Sequence, residues 1–471
     1  MRVSRRTFLG GAAASLGAVA LPWPAAASAE VKLAPGPSRA ALIGNGHPDT
    51  AVWAYDGSVP GPTLRFRQGE RARIVVENRL PEPTTVHWHG LRLPNAMDGV
   101  PDLTQKPIEP GGRFVYEFDL PDAGTFWYHP HMRSAEQVER GLSGAFIVEE
   151  REAPAVDRDV VWLLDDWRLT QEAAIAGGFG NMMDASHAGR LGNTVTINGR
   201  VPSQFTVRKG ERIRLRLINA ANARVMALAF EGHAPVVVAV DGHPVEPHAP
   251  EGGRVVLGPA MRADVVIDMG AAPDRPYPVV DSFYARGTYK LVELVYDGAA
   301  PDASRGPVPV LPDNPLPRID LAGAERHRIE LGGGMMDPRV MRAMREGGGE
   351  EAVAGMRERM RHGRVWTING MSVLGHLHEP LLTLRRGRSY VFEMLNDTAW
   401  HHPMHLHGMP FQVLSRNGTP LARKVIQDTV LMNPGERVEI AFVAEPEGDW
   451  MFHCHILEHQ EAGMMGTVRV A

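Results

Sequence analysis

One cysteine in 471 residues excludes any disulfide within the chain. Charge of one sign is also scarce: 50 Lys and Arg stand against 55 Asp and Glu, a net of −5. No basic stripe tracks a phosphate backbone, so nucleic acid is excluded as a partner. No apolar run reaches the ~20 residues that cross a bilayer; the stretch from Phe8 to Leu21 is short of it and rich in Gly and Ala, and no membrane insertion is expected. What abounds is punctuation, with 50 Gly and 38 Pro. Together with many short alternating strands, this favours β-sandwiches over α/β units. The length allows about three domains of roughly 150 residues.

Residues 1–29 read as a targeting segment, in which SRRTFLG carries Arg5 and Arg6, an apolar stretch follows, and Ala27-Ser28-Ala29 offers a small-residue cleavage signal. The paired arginines indicate twin-arginine export of a folded protein, to the periplasm or the outside of the cell. Losing Arg2, Arg5 and Arg6 takes the net charge from −5 to −8. Exported proteins usually spend their cysteines on disulfides. A lone thiol in an oxidising compartment is a liability unless a metal holds it, because thiolate is both nucleophile and ligand.

Ten of the twenty histidines fall into four clusters: His87-Trp-His89, His129-Pro-His131, His402-Pro-Met-His405-Leu-His407, and His453-Cys454-His455-Ile-Leu-Glu-His459. Between the clusters the sequence repeats with the period of a domain. Gly69 and Asn78, Gly210 and Asn219, and Gly387 and Asn396 bracket equivalent alternating strands. Eighteen and twenty residues beyond the repeat glycine lie His87 and His89 in the first copy, and His405 and His407 in the third. In the second copy the same offsets give Leu228 and Phe230. The outer copies therefore carry matched ligands and the middle copy carries none. The expected domains are 30–155, 156–310 and 311–471, the last two joined through a Pro-rich linker near 300–318. Only Pro338 to Met360 reads as helix, within a Met-rich insert at 335–360.

Residues two apart on a strand share a face and the one between them faces the other way. His453 and His455 thus address one site and Cys454 a second. His402, Cys454 and His459, with Met464 as a weak axial ligand, form the donor set of a blue-copper centre; structural zinc sites use more thiolates and no thioether. Met465 is the rival for the axial place, and spacing favours Met464. The remaining eight imidazoles, His87, His89, His129, His131, His405, His407, His453 and His455, are too many for one ion and suit a cluster of about three at a domain interface.

HWHG, HPH, HPMHLHG and HCHILEHQEAGMM resemble the four copper signatures of the multicopper oxidases, over essentially the whole mature chain. The resemblance implies three consecutive cupredoxin-like Greek-key β-sandwich domains, all-β, and four copper ions. It implies type 1 copper on His402, Cys454, His459 and Met464, and type 2 copper on His87 and His405. The type 3 pair would take His89, His129 and His455 on one ion and His131, His407 and His453 on the other. The implied reaction draws single electrons from a small donor, passes them along Cys454 to His453 and His455, and reduces O2 to water.

Asp98, nine residues after His89, stands where the family often has a proton relay, or is a plain Asp-Gly turn residue. Where several bacterial members have a proton-delivering Glu after the last type 1 histidine, this chain has Gln460, with Glu458 and Glu461 as possible substitutes. Met335, Met336, Met341, Met344, Met356 and Met360 fall where cuprous oxidases carry a methionine-rich insert; thioethers suit Cu(I), and also fill cores. The donor is thus expected to be a phenol, as for a laccase, or Cu(I), with the chain a monomer. A two-domain copper nitrite reductase is disfavoured by the ligand-free middle copy, and a non-catalytic copper-binding cupredoxin by the complete ligand set. His376 and His378 read as a surface pair, and His401 as a neighbour rather than a ligand.

Overall fold

The computed structural model describes residues 30–44, 46–299, 306–347, 349–375 and 379–471; the targeting segment 1–29 and the pair His376 and His378 lie outside the described residues. The sequence repeat is a structural repeat. The strands Arg71–Glu77, Arg212–Asn219 and Ser389–Asn396 each follow a repeat glycine at positive φ, a turn conformation that side-chain-bearing residues rarely adopt. Each pairs in parallel with an earlier strand and antiparallel with a later one. The asparagine closing each strand is buried, and its amide donates to carbonyls of the loops that return beside it. Asn78 reaches Glu82 and Ile108, Asn219 reaches Arg224 and Leu257, and Asn396 reaches Trp400 and Asn433. Buried amides and carbonyls need such partners, which explains why the Gly-to-Asn spacing is kept.

The second sheet of each sandwich carries the functional positions. In the first it runs Gly61–Arg67, Gly144–Glu149, Gly124–His129, His87–His89; in the last, Leu382–Leu384, Met465–Val470, Gly448–Cys454, His402–Leu406, Thr429–Met432. Cross-strand register is conserved through all three copies, with His87 opposite His129, Leu228 opposite Asp281, and His405 opposite His453. The buried apolar residues of the two outer sandwiches join in one contiguous cluster, while the middle sandwich has its own. The architecture is all-β with three cupredoxin-like sandwiches.

The helix expected over Pro338 to Met360 is two helices, Pro338–Arg345 and Gly349–Arg361. The chain breaks between them at Gly347, with φ +88°. Three further short helices, Ser134–Glu139, Met182–Ser186 and Leu457–Glu461, leave no readable period in the sequence because each is under two turns. No helix among the described residues is long and apolar enough to cross a membrane.

Candidate metal centre

Two groups of donors flank the strand Gly448–Cys454. Opposed residues in a ladder share a face, so His453 shares one with His405 and Met465. Cys454 lies opposite Met404, and its N–H donates to Met464 O at 3.0 Å. Met464 therefore faces with Cys454, in the same apolar cluster, whereas Met465 packs elsewhere with Val100 and Met451.

On the sulfur side, Cys454 Sγ stands 3.4 Å from His402 Nδ1 and 3.8 Å from His459 Nδ1, and the two nitrogens are 3.2 Å apart. A single ion held at about 2.0 Å from nitrogen and about 2.3 Å from sulfur fits such separations. The far edges of both rings are tied down. His459 Nε2 donates to His187 O at 2.7 Å, which leaves Nδ1 a lone pair, and His402 Nε2 meets Thr398 Oγ1 at 2.9 Å. Burial lowers His459 to about 3 and holds His402 well below its usual value, so both are neutral donors. Burial pushes the Cys454 thiol up, so it needs a cation to become thiolate at neutral pH. The Trp366 ring lies 4.9 Å from His402 and 4.3 Å from His459, centroid to centroid.

On the other side the eight remaining imidazoles converge from both outer sandwiches, all buried. Most have one ring nitrogen donating outward to an oxygen. His87 Nδ1 donates to Asp98 O at 2.7 Å, His405 Nδ1 to Asp428 O at 2.8 Å, His453 Nδ1 to Cys454 O at 2.9 Å, and His129 Nδ1 to Pro130 O at 3.1 Å. His407 Nδ1 donates to Asp98 Oδ2 at 2.8 Å and His89 Nε2 to Asp428 Oδ1 at 3.0 Å. Burial lowers His89, His129, His131, His405, His407, His453 and His455, so a second proton on any of these rings is disfavoured. Lone pairs are left pointing inward. His407 Nε2 and His453 Nε2 face each other at 3.0 Å, and His87 Nε2, His89 Nδ1, His131 Nε2 and His405 Nε2 have no partner at all. Facing lone pairs repel and unpartnered buried ones are costly; shared cations satisfy both.

Comparison with known proteins agrees. Family profiles described as multicopper oxidase match residues 39–153, 158–299 and 351–471. Multicopper oxidase MmcO of Mycobacterium tuberculosis is 31% identical, over 92% of this chain and 85% of its own. The chain belongs to the multicopper oxidase family. Copper resistance protein A of Escherichia coli is 28% identical over 100% of this chain and 99% of that relative. The crystal structure of a multi-copper oxidase from Pseudomonas thermotolerans superposes with a TM-score of 0.83 at 33% identity, covering 95% of this chain and 100% of that one.

Multicopper oxidases use copper cofactors, and the inward lone pairs of this member fit them. Distance alone sorts only some donors: His131, His407 and His453 form one group, and His402, Cys454 and His459 another, while His87 lies within reach of both His405 with His407 and His89 with His129. His455 departs from the tautomer pattern, with Nε2 3.3 Å from His129 Nε2 and Nδ1 unpartnered. Asp98 is both a turn residue and a buried support, since its carbonyl holds His87 and its carboxylate holds His407. Gln460 is buried with Oε1 unpartnered. Glu458 accepts from Arg190 N and Asn222 Nδ2, and burial raises it. Glu461 accepts from Ala135 N and is pushed up to about 7 by burial. His401 packs on Phe283 and belongs to neither donor group.

Sequence reading missed Asp428. It lies 339 residues from the His89 it holds, at the bend between the strands Thr419–Gln427 and Thr429–Met432, without any motif. Burial opposes its ionisation, yet the Arg262 guanidinium and His89 keep its carboxylate well below the usual range.

Proposed function

We propose that this multicopper oxidase holds four coppers. His402, Cys454, His459 and Met464 would hold the type 1 ion, and His87 and His405 the type 2 ion. His89, His129 and His455, and His131, His407 and His453, would hold the type 3 pair. The observation that carries this reading is the inward set of unprotonated imidazole nitrogens beside the buried thiol. When bound, copper supplies the redox chemistry: four electrons taken singly from a reductant and given to dioxygen, O2 + 4 H+ + 4 e− → 2 H2O. The chain's part is to hold geometry and supply protons. His453 and His455 flank Cys454 in sequence, so a few covalent bonds join the two donor groups. Asp98 and Asp428 both touch the imidazoles, through His407 and His89; the Asp428 carboxylate is committed to Arg262, which leaves Asp98 to handle protons. Export by the twin-arginine route to the periplasm, as a monomer, completes the proposal.

For the reductant, we favour Cu(I) over the laccase-like phenol. His402 and His459 are both 0% exposed, so no bulky phenol reaches an imidazole edge. Above them the Met182–Ser186 helix and the methionine segment close together: Met335 N donates to Ser186 O at 2.9 Å, Trp400 Nε1 donates to Met335 O at 2.9 Å, and the His187 and Trp400 rings stand 5.3 Å apart. The outer rim exposes Met336, Met341 and Met344, soft donors for a cuprous ion. The relative named copper resistance protein A supports this reading. The test is oxygen uptake with Cu(I) and with a phenol in Met336→Leu/Met341→Leu/Met344→Leu. Cu(I) turnover should fall in the variant, while phenol turnover should be low in wild type and variant alike; unchanged Cu(I) turnover would remove this segment from the reaction.

A further inference from the structure

The middle sandwich carries no ligand, yet it reaches the eight-histidine centre. Arg262 opens its strand Arg262–Asp268 and is 0% exposed. Its guanidinium grips Asp428 of the third sandwich through both oxygens, at 2.8 and 2.6 Å, and its Nε donates to Thr125 O of the first at 3.1 Å. Asp241, also of the middle sandwich and fully buried, accepts from Arg262 N at 2.8 Å and from Thr429 N at 3.1 Å. Asp428 and Thr429 in turn hold one histidine from each outer sandwich. Asp428 Oδ1 accepts from His89 Nε2, Asp428 O accepts from His405 Nδ1, and Thr429 Oγ1 lies 3.1 Å from each of those nitrogens. The His89 and His405 rings stack at 3.8 Å.

The glycine of the first motif, HWHG, serves the same contact. A Cβ on Gly90 would stand 2.3 Å from Arg262 Nη2 and 2.5 Å from Asp428 Oδ2, so only glycine lets the guanidinium and the carboxylate meet beside His89. A fork of parallel N–H donors fixes a carboxylate in plane and angle as a lysine ammonium does not. Fixing that carboxylate fixes which nitrogen of His89 carries the proton, and hence which one faces inward.

We propose that Arg262 and Asp241 are positioning residues for the three-copper centre. The ligand-free middle sandwich orients His89 and His405 through Asp428 and locks the two outer sandwiches in copper-binding register. The inference rests on the four-copper reading above. The type 1 site is the internal control, because Arg262 touches none of its ligands.

The experiment compares wild type, Arg262→Met, Arg262→Lys and Asp241→Asn, each loaded with copper and dialysed against a graded chelator. Total copper, the blue absorbance of the type 1 site and the electron paramagnetic signal of non-blue copper are read. Wild type must retain four coppers; fewer would strike the four-copper reading itself. With four in wild type, Arg262→Met should keep its blue band while its other coppers bind about 10–100-fold more weakly. Arg262→Lys, which keeps charge but not the fork, should fall between, and Asp241→Asn should weaken the same coppers alone. Equal retention in all four proteins overturns the proposal. So does parallel loss of blue and non-blue copper in Arg262→Lys and Asp241→Asn, the pattern of a merely structural clamp.

Discussion

Asp98 offers the sharpest dissection, because its two supports are chemically separable. Its backbone carbonyl accepts from His87 Nδ1 at 2.7 Å and survives any substitution, whereas its carboxylate accepts from His407 Nδ1 at 2.8 Å and makes only a longer, 3.3 Å contact with His87 Nδ1. Asp98→Ala strands a buried imidazole N–H. Losing a charged hydrogen bond of this kind costs roughly 1.5–3 kcal/mol, and at about 1.4 kcal/mol per decade that is roughly 10–100-fold in affinity at the His407 site. Asp98→Asn keeps an oxygen of the same shape facing His407, so copper should be retained within ~10-fold of wild type. An amide cannot exchange protons near neutral pH, so turnover should nonetheless fall, by the ~10²–10⁴ typical of a lost proton-transfer group. The assays are chelator competition for copper and oxygen uptake on fully loaded enzyme. Fully loaded Asp98→Asn with wild-type turnover refutes the proton role, and wild-type copper affinity in Asp98→Ala refutes the positioning role.

Cys454→Ser should abolish the strong blue band and lower copper by one ion per chain, since a hydroxyl cannot replace the thiolate as a soft ligand; a variant that stays blue contradicts the assignment of Cys454. A prediction about stability concerns Glu139, which burial pushes up to about 8 even though it pairs with Arg190 at 3.1 Å. Its folded value lies above its unfolded one, so the stability it contributes is fully present below about pH 4.5 and is lost as pH rises towards 8. Glu139→Gln should therefore show a shallower decline in unfolding free energy across that window by denaturant titration, and parallel curves for the two proteins would show that Glu139 does not stay protonated in the fold.

How much of this was legible in the sequence follows from what makes a pattern. His87-x-His89 lies on a strand and Cys454 closes one, while His131, His407 and His455 stand just past the strands that carry His129, His405 and His453; both donor groups could be read from the spacing of the motifs, although alternation along a strand covers only part of them. The Gly-to-Asn repeat could be read because Asn78, Asn219 and Asn396 each do the same loop-tying task. Which of Met464 and Met465 shares a face with Cys454 depends on ladder register, which spacing only hinted at. Asp428, Arg262 and Asp241 gave no signal, because their meaning lies in contacts between three sandwiches, with Asp428 and Arg262 166 residues apart. The break at Gly347 and the short helices were hidden for a different reason, since a helix of a turn or so has no period to detect.

The central claim is that imidazoles from two sandwiches jointly hold three coppers beside a fourth at Cys454. X-ray diffraction from copper-loaded crystals, collected on both sides of the copper absorption edge, tests it most directly. Four anomalous peaks are expected, three among the eight histidines and one between Cys454, His402 and His459. A single peak, or a signal that appears at the zinc edge instead, would contradict it.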